Sequence, residues 1–299
     1  MMPNFMPEVL VPYAAIVFAL IAAFLFAVGS QFQNLGLQTL DSRTGTALSI
    51  TTSALYLWVL APFFLDPVLF ATTGFWVFVL IGCFRPAVSA NLSVAAIRHL
   101  GPTLSSTLAS TSPLFGTALG VLALGEVLTW QTALGTFGIV FAVALLSRRK
   151  KGDIKASWPI WALALPIGAA GLRSIGHALS KVGMLDAPDP YFAGLIAFTV
   201  SALVTIGISR LRKAATPIPW ELSGPKWFMA AGLCFGTAVT SLNYGLLIGD
   251  IVEVIPIIAA SPIFTLALSI LVFRKEKITR TIVLSVFIVV VSVIGIALG

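Results

Sequence analysis

The sequence predicts an all-α membrane protein of ten transmembrane helices, built as two five-helix repeats of opposite orientation. Three observations lead to this prediction. The chain of 299 residues is 58% hydrophobic and only 10% charged, whereas about a quarter of the residues of a soluble domain are charged. The few charges lie in short clusters between long uncharged runs. The two halves of the chain also match each other in order.

The uncharged runs are long enough for helices that cross the membrane, which takes about 20 residues. A helix satisfies its own backbone in lipid, and the runs lack the alternation of barrel strands. The first run lacks the basic leading region of a cleaved signal peptide, so it is predicted to be a retained span. The predicted spans, numbered 1 to 10, cover residues 10–36, 44–65, 73–96, 102–124, 128–147, 158–180, 190–211, 225–247, 251–273 and 280–298.

The basic residues predict how these spans are oriented. Arg43, Arg98 and the loops after spans 5, 7 and 9 hold most of the 18 Lys and Arg, whereas Lys181 is alone on the opposite side. Basic loops stay in the cytoplasm, so both termini are predicted to lie outside a bacterial inner (plasma) membrane. The net charge of +7 is therefore interpreted as anchoring to the lipid bilayer, with no nucleic acid as a partner.

An internal repeat divides the chain into residues 1–149 and 150–299. Aligned matches include Pro12 with Pro159, Gly29 with Gly176, Gly36 with Gly183, Cys83 with Cys234, Ser112-Pro113 with Ser261-Pro262, and Glu126 with Glu276. Because each repeat holds an odd number of spans, the second enters the membrane upside down. Inverted repeats are typical of secondary transporters, whose substrate site lies near the midplane. The alternative is plain compositional similarity of two apolar halves.

Two short motifs connect the chain to a known family. Residues 112–115 read Ser-Pro-Leu-Phe, residues 124–126 read Leu-Gly-Glu, and residues 261–264 and 274–276 repeat them as Ser-Pro-Ile-Phe and Arg-Lys-Glu. Over its whole length the chain resembles the EamA-type drug/metabolite transporter superfamily, and within it the YddG-like aromatic amino acid exporter branch. This resemblance implies export of small metabolites through a central cavity lined by spans 1, 3, 4, 6, 8 and 9, with spans 5 and 10 at the periphery.

Charged side chains near mid-span are the first candidates for a substrate site. Arg85 lies in the middle of span 3, and Arg173 lies on span 6 with His177 one turn away on the same face. A charge at that depth costs ~2.5 kcal/mol or more, so it usually serves a function. No Asp or Glu lies in mid-span, which favours a substrate with a carboxylate, since an arginine fork binds that group with two hydrogen bonds.

Structural alternatives stay open for each of these three residues. Arg85 could bond the carbonyls of a helix end, Arg173 could extend toward an interface, and His177 could be a neutral histidine bonded to a carbonyl. As the only histidine inside a span, His177 is also the one candidate proton carrier.

Polar and aromatic residues in the same spans complete the candidate set. Asn91, Asn243, Ser112 and Ser261 are candidate polar contacts, although the asparagines could instead bond neighbouring helices. Tyr56, Phe84 and Tyr244 are candidate apolar walls of a pocket, with packing or lipid contact as the alternative. Pro86, Pro113 and Pro262 are predicted to kink their spans, either as hinges or as passive bends.

The predicted function is export of amino acids, including aromatic ones, by alternating access through the central cavity. Without an embedded carboxylate, facilitated export is expected rather than tight proton coupling. The alternative is export of other metabolites or drugs, such as nucleosides, sugars or organic cations, with coupling to protons. No catalytic cluster or cofactor site is predicted, and Cys83 and Cys234 lack metal-site spacing. Gly116 and Gly120 are interpreted as packing within a monomer, although a dimer seam is the alternative.

Overall fold

The computed structural model of the protein describes residues 11–100, 105, 108–109, 111–147, 159–211, 218–271 and 280–298. All regular structure in these ranges is helical, which confirms the predicted all-α class. Two short 3-10 turns, Pro67–Ala71 and Ile160–Leu163, accompany the α-helices. The α-helices are α1 Val11–Gly36, α2 Ser42–Phe64, α3 Thr73–Phe84, α4 Ala87–Leu100, α5 Ser112–Leu124, α6 Trp130–Ser147, α7 Ala164–Asp186, α8 Pro190–Leu211, α9 Gly224–Ile248, α10 Ile251–Ala259, α11 Ser261–Leu271 and α12 Arg280–Ala297.

Seven helices of the described chain are long and apolar enough to cross a membrane, so the prediction of ten spans is met in part. These seven are Tyr13–Gly36, Ser42–Phe64, Ile160–Asp186, Pro190–Ile208, Gly224–Ile248, Ile251–Ile270 and Arg280–Ala297. Three shorter apolar helices, Thr73–Ser89, Ser112–Leu124 and Trp130–Leu145, lie where spans 3, 4 and 5 were predicted. Most of residues 102–110, where span 4 was predicted to begin, lie outside the described ranges.

Two predicted spans are each divided into two helices, which corrects the prediction of single kinked helices there. In span 3, α3 ends at Phe84, Arg85 is extended (φ −127°, ψ 128°), and a cis peptide bond joins Arg85 to Pro86. A proline restricts the residue before it and offers no N–H for the helix, so the chain restarts as α4. In span 9, α10 and α11 meet at Ala260, and Pro262 is the second residue of α11. Pro113 is likewise the second residue of α5.

Helices from opposite halves of the chain pack against each other. Helix α1 lies along α9, and α7 lies along α3 and α4; α2 contacts α8 and α9, while α3 contacts α8. Hydroxyl groups join α2 to α9, since Ser49 Oγ donates to the Phe228 carbonyl (2.8 Å) and Ser53 Oγ donates to the Gly232 carbonyl (2.7 Å). Such bonds are typical of helix pairs in lipid, where apolar burial drives association only weakly.

Helices α6 and α12 pair with each other, and their outward faces are apolar. Large hydrophobic side chains are exposed on this pair and elsewhere on the bundle, and Phe63, Leu122 and Ile160 are each at least 80% exposed. A soluble monomer rarely exposes contiguous apolar surface on this scale. Together with the seven long apolar helices, this surface identifies a multi-pass membrane protein. The positions of α6 and α12 agree with the peripheral role expected of spans 5 and 10.

Candidate functional site

Helix α7 presents a polar face to the middle of the bundle. Arg173, Gly176, His177 and Ser180 follow each other at spacings of three, one and three residues, so they share one side of the helix. Helix α7 packs against α3, α4, α5 and α9. The face therefore lies among helices of both halves of the chain.

Arg85 reaches this face because span 3 is interrupted there. Its side chain crosses Gly176: a Cβ atom at that glycine would lie 2.7 Å from Arg85 Cδ and 3.6 Å from Nη1. The same Cβ would lie 3.7 Å from Phe84 Cε2. Only a glycine leaves this much space, so the structure brings Phe84 and Arg85 together with the polar face of α7.

Two positive charges meet at this point. The Arg85 side chain crosses α7 at Gly176, which lies one turn after Arg173 and next to His177. Each arginine residue is partly exposed as a whole, whereas His177 is buried and its Nδ1 has no hydrogen-bond partner among the residues that the structure describes. Across the described part of the chain, neither arginine side chain forms a hydrogen bond or an ion pair. A guanidinium stays protonated in proteins, so the site is strongly positive.

The site lies deep inside the membrane-spanning part of the bundle. Asp186, at the end of α7, accepts hydrogen bonds from Thr73 Oγ1 (2.8 Å) and from the Gly74 N–H (3.1 Å), so α3 begins where α7 ends. At 1.5 Å per residue, Arg85 lies about 18 Å along α3 from that end, and Arg173 about 20 Å along α7. The hydrocarbon core of a bilayer is about 30 Å thick. Both arginines therefore lie well inside it.

Two other predicted residues contact the polar face of α7. Ser174 Oγ donates to the Ser112 carbonyl (2.9 Å), and the two hydroxyl oxygens are 3.3 Å apart. Ser112 of α5 therefore contacts the residue that follows Arg173 on α7. Asn243 accepts from Ser180 Oγ (3.1 Å) and donates to the Pro190 carbonyl (3.1 Å). Its buried amide thus joins α7, α8 and α9. The side chain of Asn91 lies outside the described part of the structure.

The remaining candidates are distributed over other helix contacts. Tyr244 stacks on Phe18 of α1, with ring centroids 5.3 Å apart. Tyr56 accepts a hydrogen bond from Thr237 Oγ1 (3.3 Å) and packs against a separate cluster of α2 and α8 side chains. The Ser261 carbonyl accepts from Thr265 Oγ1 (3.1 Å). Within the described ranges, no hydrogen bond or ring contact joins these three residues to Arg85 or Arg173.

An ionic network at the Asp186 end of α7 was not anticipated as a unit. Lys181 Nζ donates to Glu126 Oε1 (2.7 Å), Asp250 Oδ1 (2.9 Å) and the Gly249 carbonyl (2.9 Å). In the sequence, Lys181 is the isolated cation on its side of the membrane, while Glu126 lies between predicted spans 4 and 5 and Asp250 between predicted spans 8 and 9. The three residues lie at span ends on the same predicted side of the membrane, and this shared position is the sequence signal that could have predicted the network.

Glu126 also caps the start of α10. Its Oε1 accepts from the Ile251 N–H and its Oε2 from the Val252 N–H, each at 3.0 Å. A carboxylate stabilises a helix N-terminus by satisfying free N–H groups and opposing the helix dipole. Gly125, at φ 70°, lets the chain leave α5 in the left-handed conformation that directs Glu126 to this position. The network therefore links α5 of the first half to α7 and α10 of the second.

An apolar cavity of about 240 Å³ lies elsewhere, between α1, α11 and α12. Leu20, Ile263, Phe264, Val286 and Val290 are among its lining residues, and it contains none of the predicted site residues. No group of three or more His, Cys, Asp or Glu that could hold a metal ion occurs among residues that the structure describes.

Comparison with known proteins gives a family and a fold. The sequence model described as EamA-like transporter family matches twice, at residues 13–148 and 159–298. No curated protein matches the chain. Among 29 matching chains of solved structures, one titled only "Crystal structure of protein" superimposes with a TM-score of 0.79 at 16% identity. The superposition covers 96% of this chain and 97% of the other. At that identity the likeness shows the fold alone.

Proposed function

The chain belongs to the EamA-like transporter family of the drug/metabolite transporter superfamily, and we propose that it exports amino acids, including aromatic ones, by facilitated alternating access. Membership makes it a membrane transporter of small molecules, in a family of transporters rather than enzymes. The proposal adds the substrate, the direction and the mechanism.

The substrate proposal depends on one observation: Arg85 and Arg173 have no side-chain hydrogen bond or ion pair with any described residue. Buried arginines that serve structure are normally paired with carboxylates or backbone carbonyls. Here two guanidinium groups lie deep inside the bundle, and among the described residues their donors have no acceptor. A substrate carboxylate would supply the missing acceptor in bidentate geometry. The Phe84 ring also lies beside Gly176, so it offers an aromatic wall next to the Arg85 side chain.

We further propose that residues 1–149 and 150–299 form inverted repeats. The two family matches support this, as does the pairing of helices. In the repeat, spans 1, 2 and 3 correspond to spans 6, 7 and 8. Span 1 packs against span 8, and correspondingly span 6 packs against span 3. Span 2 also packs against span 8, and correspondingly span 7 packs against span 3. Two similar units in opposite orientation give two states of similar energy, each open to one side.

The Lys181 network is proposed to close one end of the path. The proposed orientation, which the distribution of basic residues supports, has the basic loops in the cytoplasm and both termini outside a bacterial inner membrane. In this orientation the Lys181 network faces the outside of the cell. Because the network links helices of both halves, opening the path to the outside requires that its bonds separate. A monomer suffices for this mechanism.

Transport in proteoliposomes tests the proposal. Purified protein is reconstituted, and uptake of labelled phenylalanine, threonine, a nucleoside and a lipophilic organic cation is followed against protein-free liposomes. Saturable flux of the amino acids, without need of a proton gradient, is expected. Robust flux of the cation or nucleoside with no amino acid flux would overturn the proposal. It would instead favour the alternative, an exporter of other metabolites or drugs, for which His177 is the candidate proton carrier.

A further inference from the structure

Arg85 and Arg173 differ sharply from Lys181 in how their charges are balanced. Lys181, two turns beyond Arg173 on α7, contacts two carboxylates and a backbone carbonyl. Neither arginine contacts a carboxylate within the described ranges, and the sequence has no acidic residue between Asp66 and Glu126 or between Asp153 and Asp186. Among the described residues, Glu126 and Asp250 therefore balance Lys181, and no carboxylate balances the arginine pair.

Helix ends balance only a small part of this charge. Arg85 follows the last residue of α3, where the helix dipole supplies roughly half a negative charge. The pair keeps more than one full positive charge, because a guanidinium cannot lose its proton in a protein. His177 adds no compensation, since an imidazole is neutral or positive.

One substrate carboxylate leaves the site positive. An amino acid that carries a single carboxylate also brings an ammonium group, which restores the charge that its carboxylate removes. Holding such a zwitterion beside two guanidinium groups inside the membrane is costly, because like charges repel strongly where water is scarce. A second negative charge removes most of this cost.

We infer that the Arg85–Arg173 pair binds two negative charges at once. This inference rests on the proposed function and specifies the ligands of its site. Two sources have the required chemistry. The second charge belongs either to the substrate itself, as in an acidic amino acid, or to a monovalent inorganic anion such as chloride that binds together with a zwitterionic substrate. Each arginine residue is partly exposed as a whole, and the proposed alternating access would open the pair to the ligands.

Flux measurements with and without chloride separate these sources. Proteoliposomes that hold the full chain take up labelled glutamate or labelled phenylalanine in chloride buffer, or in isethionate buffer of equal ionic strength. If the substrate supplies both charges, glutamate flux is at least tenfold above that of phenylalanine and does not change without chloride. If chloride supplies the second charge, phenylalanine flux falls at least tenfold without chloride and recovers in a saturable manner as chloride is added back.

Variants assign the effect to the arginine pair. Arg85→Gln or Arg173→Gln leaves one guanidinium, so the glutamate preference or the chloride dependence is expected to disappear. Arg173→Lys keeps the positive charge, so this variant is expected to retain the glutamate preference or the chloride dependence. Arg43→Gln, at an exposed position in the first turn of α2, serves as the matched control. Because a glutamine variant can fail to fold, thermal stabilisation of purified wild-type protein by glutarate and by butyrate is compared as well. The dicarboxylate is expected to raise the melting temperature more.

Equal phenylalanine flux in both buffers, with no glutamate flux, overturns the inference and leaves the proposed function standing. Absence of flux for every amino acid overturns the proposed function. In that event, greater stabilisation by glutarate than by butyrate still supports a site for two negative charges, and equal stabilisation excludes it.

Discussion

Lys181 and Glu126 form an ion pair of 2.7 Å that joins the second half of the chain to the first. Only 5% of the Glu126 side chain is exposed, against 21% for Lys181, so the pair is largely shielded from water. The two backbone N–H groups of α10 that also bond Glu126 make this carboxylate a junction of three helices.

Removal of one partner of this pair is expected to destabilise the protein. Lys181→Met leaves the buried carboxylate of Glu126 without its cation, and we expect a loss of about 3 kcal/mol in unfolding free energy, the lower end of the range for a broken buried pair. The two N–H groups that remain on Glu126 keep the loss from being larger. Denaturation in detergent micelles measures it, with Lys226→Met at an exposed position of α9 as the control.

The double variant Lys181→Met, Glu126→Gln distinguishes a true pair from two independent contacts. We expect it to be less destabilised than the sum of the single variants, because the second change removes the charge that the first had left unpaired. Strictly additive losses in the same denaturation assay would show that the two side chains do not stabilise each other.

Gly176→Ala is expected to reduce transport without unfolding the protein. The added methyl group would lie 2.7 Å from Arg85 Cδ, so the Arg85 side chain must shift from its position on α7. Alanine is a better helix former than glycine, which favours a folded product. Gly168→Ala on the same helix is the matched control, because its nearest neighbour would be Leu92 Cδ1 at 3.9 Å. Phenylalanine flux normalised to reconstituted protein compares the two, and equal flux would contradict the assigned role of Arg85.

Arg85→Gln and Arg173→Gln are each expected to weaken substrate binding by a factor of about 10 to 100. That factor corresponds to the loss of hydrogen bonds to a charged group, which are worth about 1.5–3 kcal/mol. The concentration dependence of phenylalanine flux gives this value, and size-exclusion chromatography checks the fold. Unchanged kinetics in both variants would exclude a carboxylate clamp.

Gly135→Ala is expected to destabilise the contact between α6 and α12. A Cβ atom there would lie 2.5 Å from Ile296 Cγ1 and 2.7 Å from the Ser292 carbonyl, and overpacking of this kind costs about 1–3 kcal/mol. Gly295→Ala on α12 is the control, since its nearest contact would be the Gln131 carbonyl at 4.0 Å. In thermal unfolding, the melting temperature is expected to be lower for Gly135→Ala and unchanged for Gly295→Ala.

Hydropathy and charge were enough to predict the helical class, because lipid permits few other backbone arrangements and long apolar runs are read directly from the sequence. The same runs could not show that span 3 divides at Arg85. A proline signals a bend, but whether the chain bends or restarts depends on what packs around it, here the groove that Gly176 leaves for the Arg85 side chain.

Some residues of the candidate site could be predicted from the sequence and others could not. Arg85, Arg173 and His177 were found because charge and imidazole are rare at membrane depth. The Lys181 network was missed because its members lie far apart in sequence and at span ends, where charged residues are ordinary. Polarity alone makes Asn243 a candidate, and the sequence does not show that its side-chain amide is already hydrogen-bonded to Ser180 and to the Pro190 carbonyl.

Competition during phenylalanine counterflow tests the central claim most directly, since it asks which end of the substrate the arginine pair binds. Proteoliposomes loaded with unlabelled phenylalanine take up the labelled form in the presence of 3-phenylpropionate, which keeps the carboxylate, or phenethylamine, which keeps only the amine. Inhibition by 3-phenylpropionate and not by phenethylamine is the expected result. Inhibition by phenethylamine alone would contradict a carboxylate site at Arg85 and Arg173.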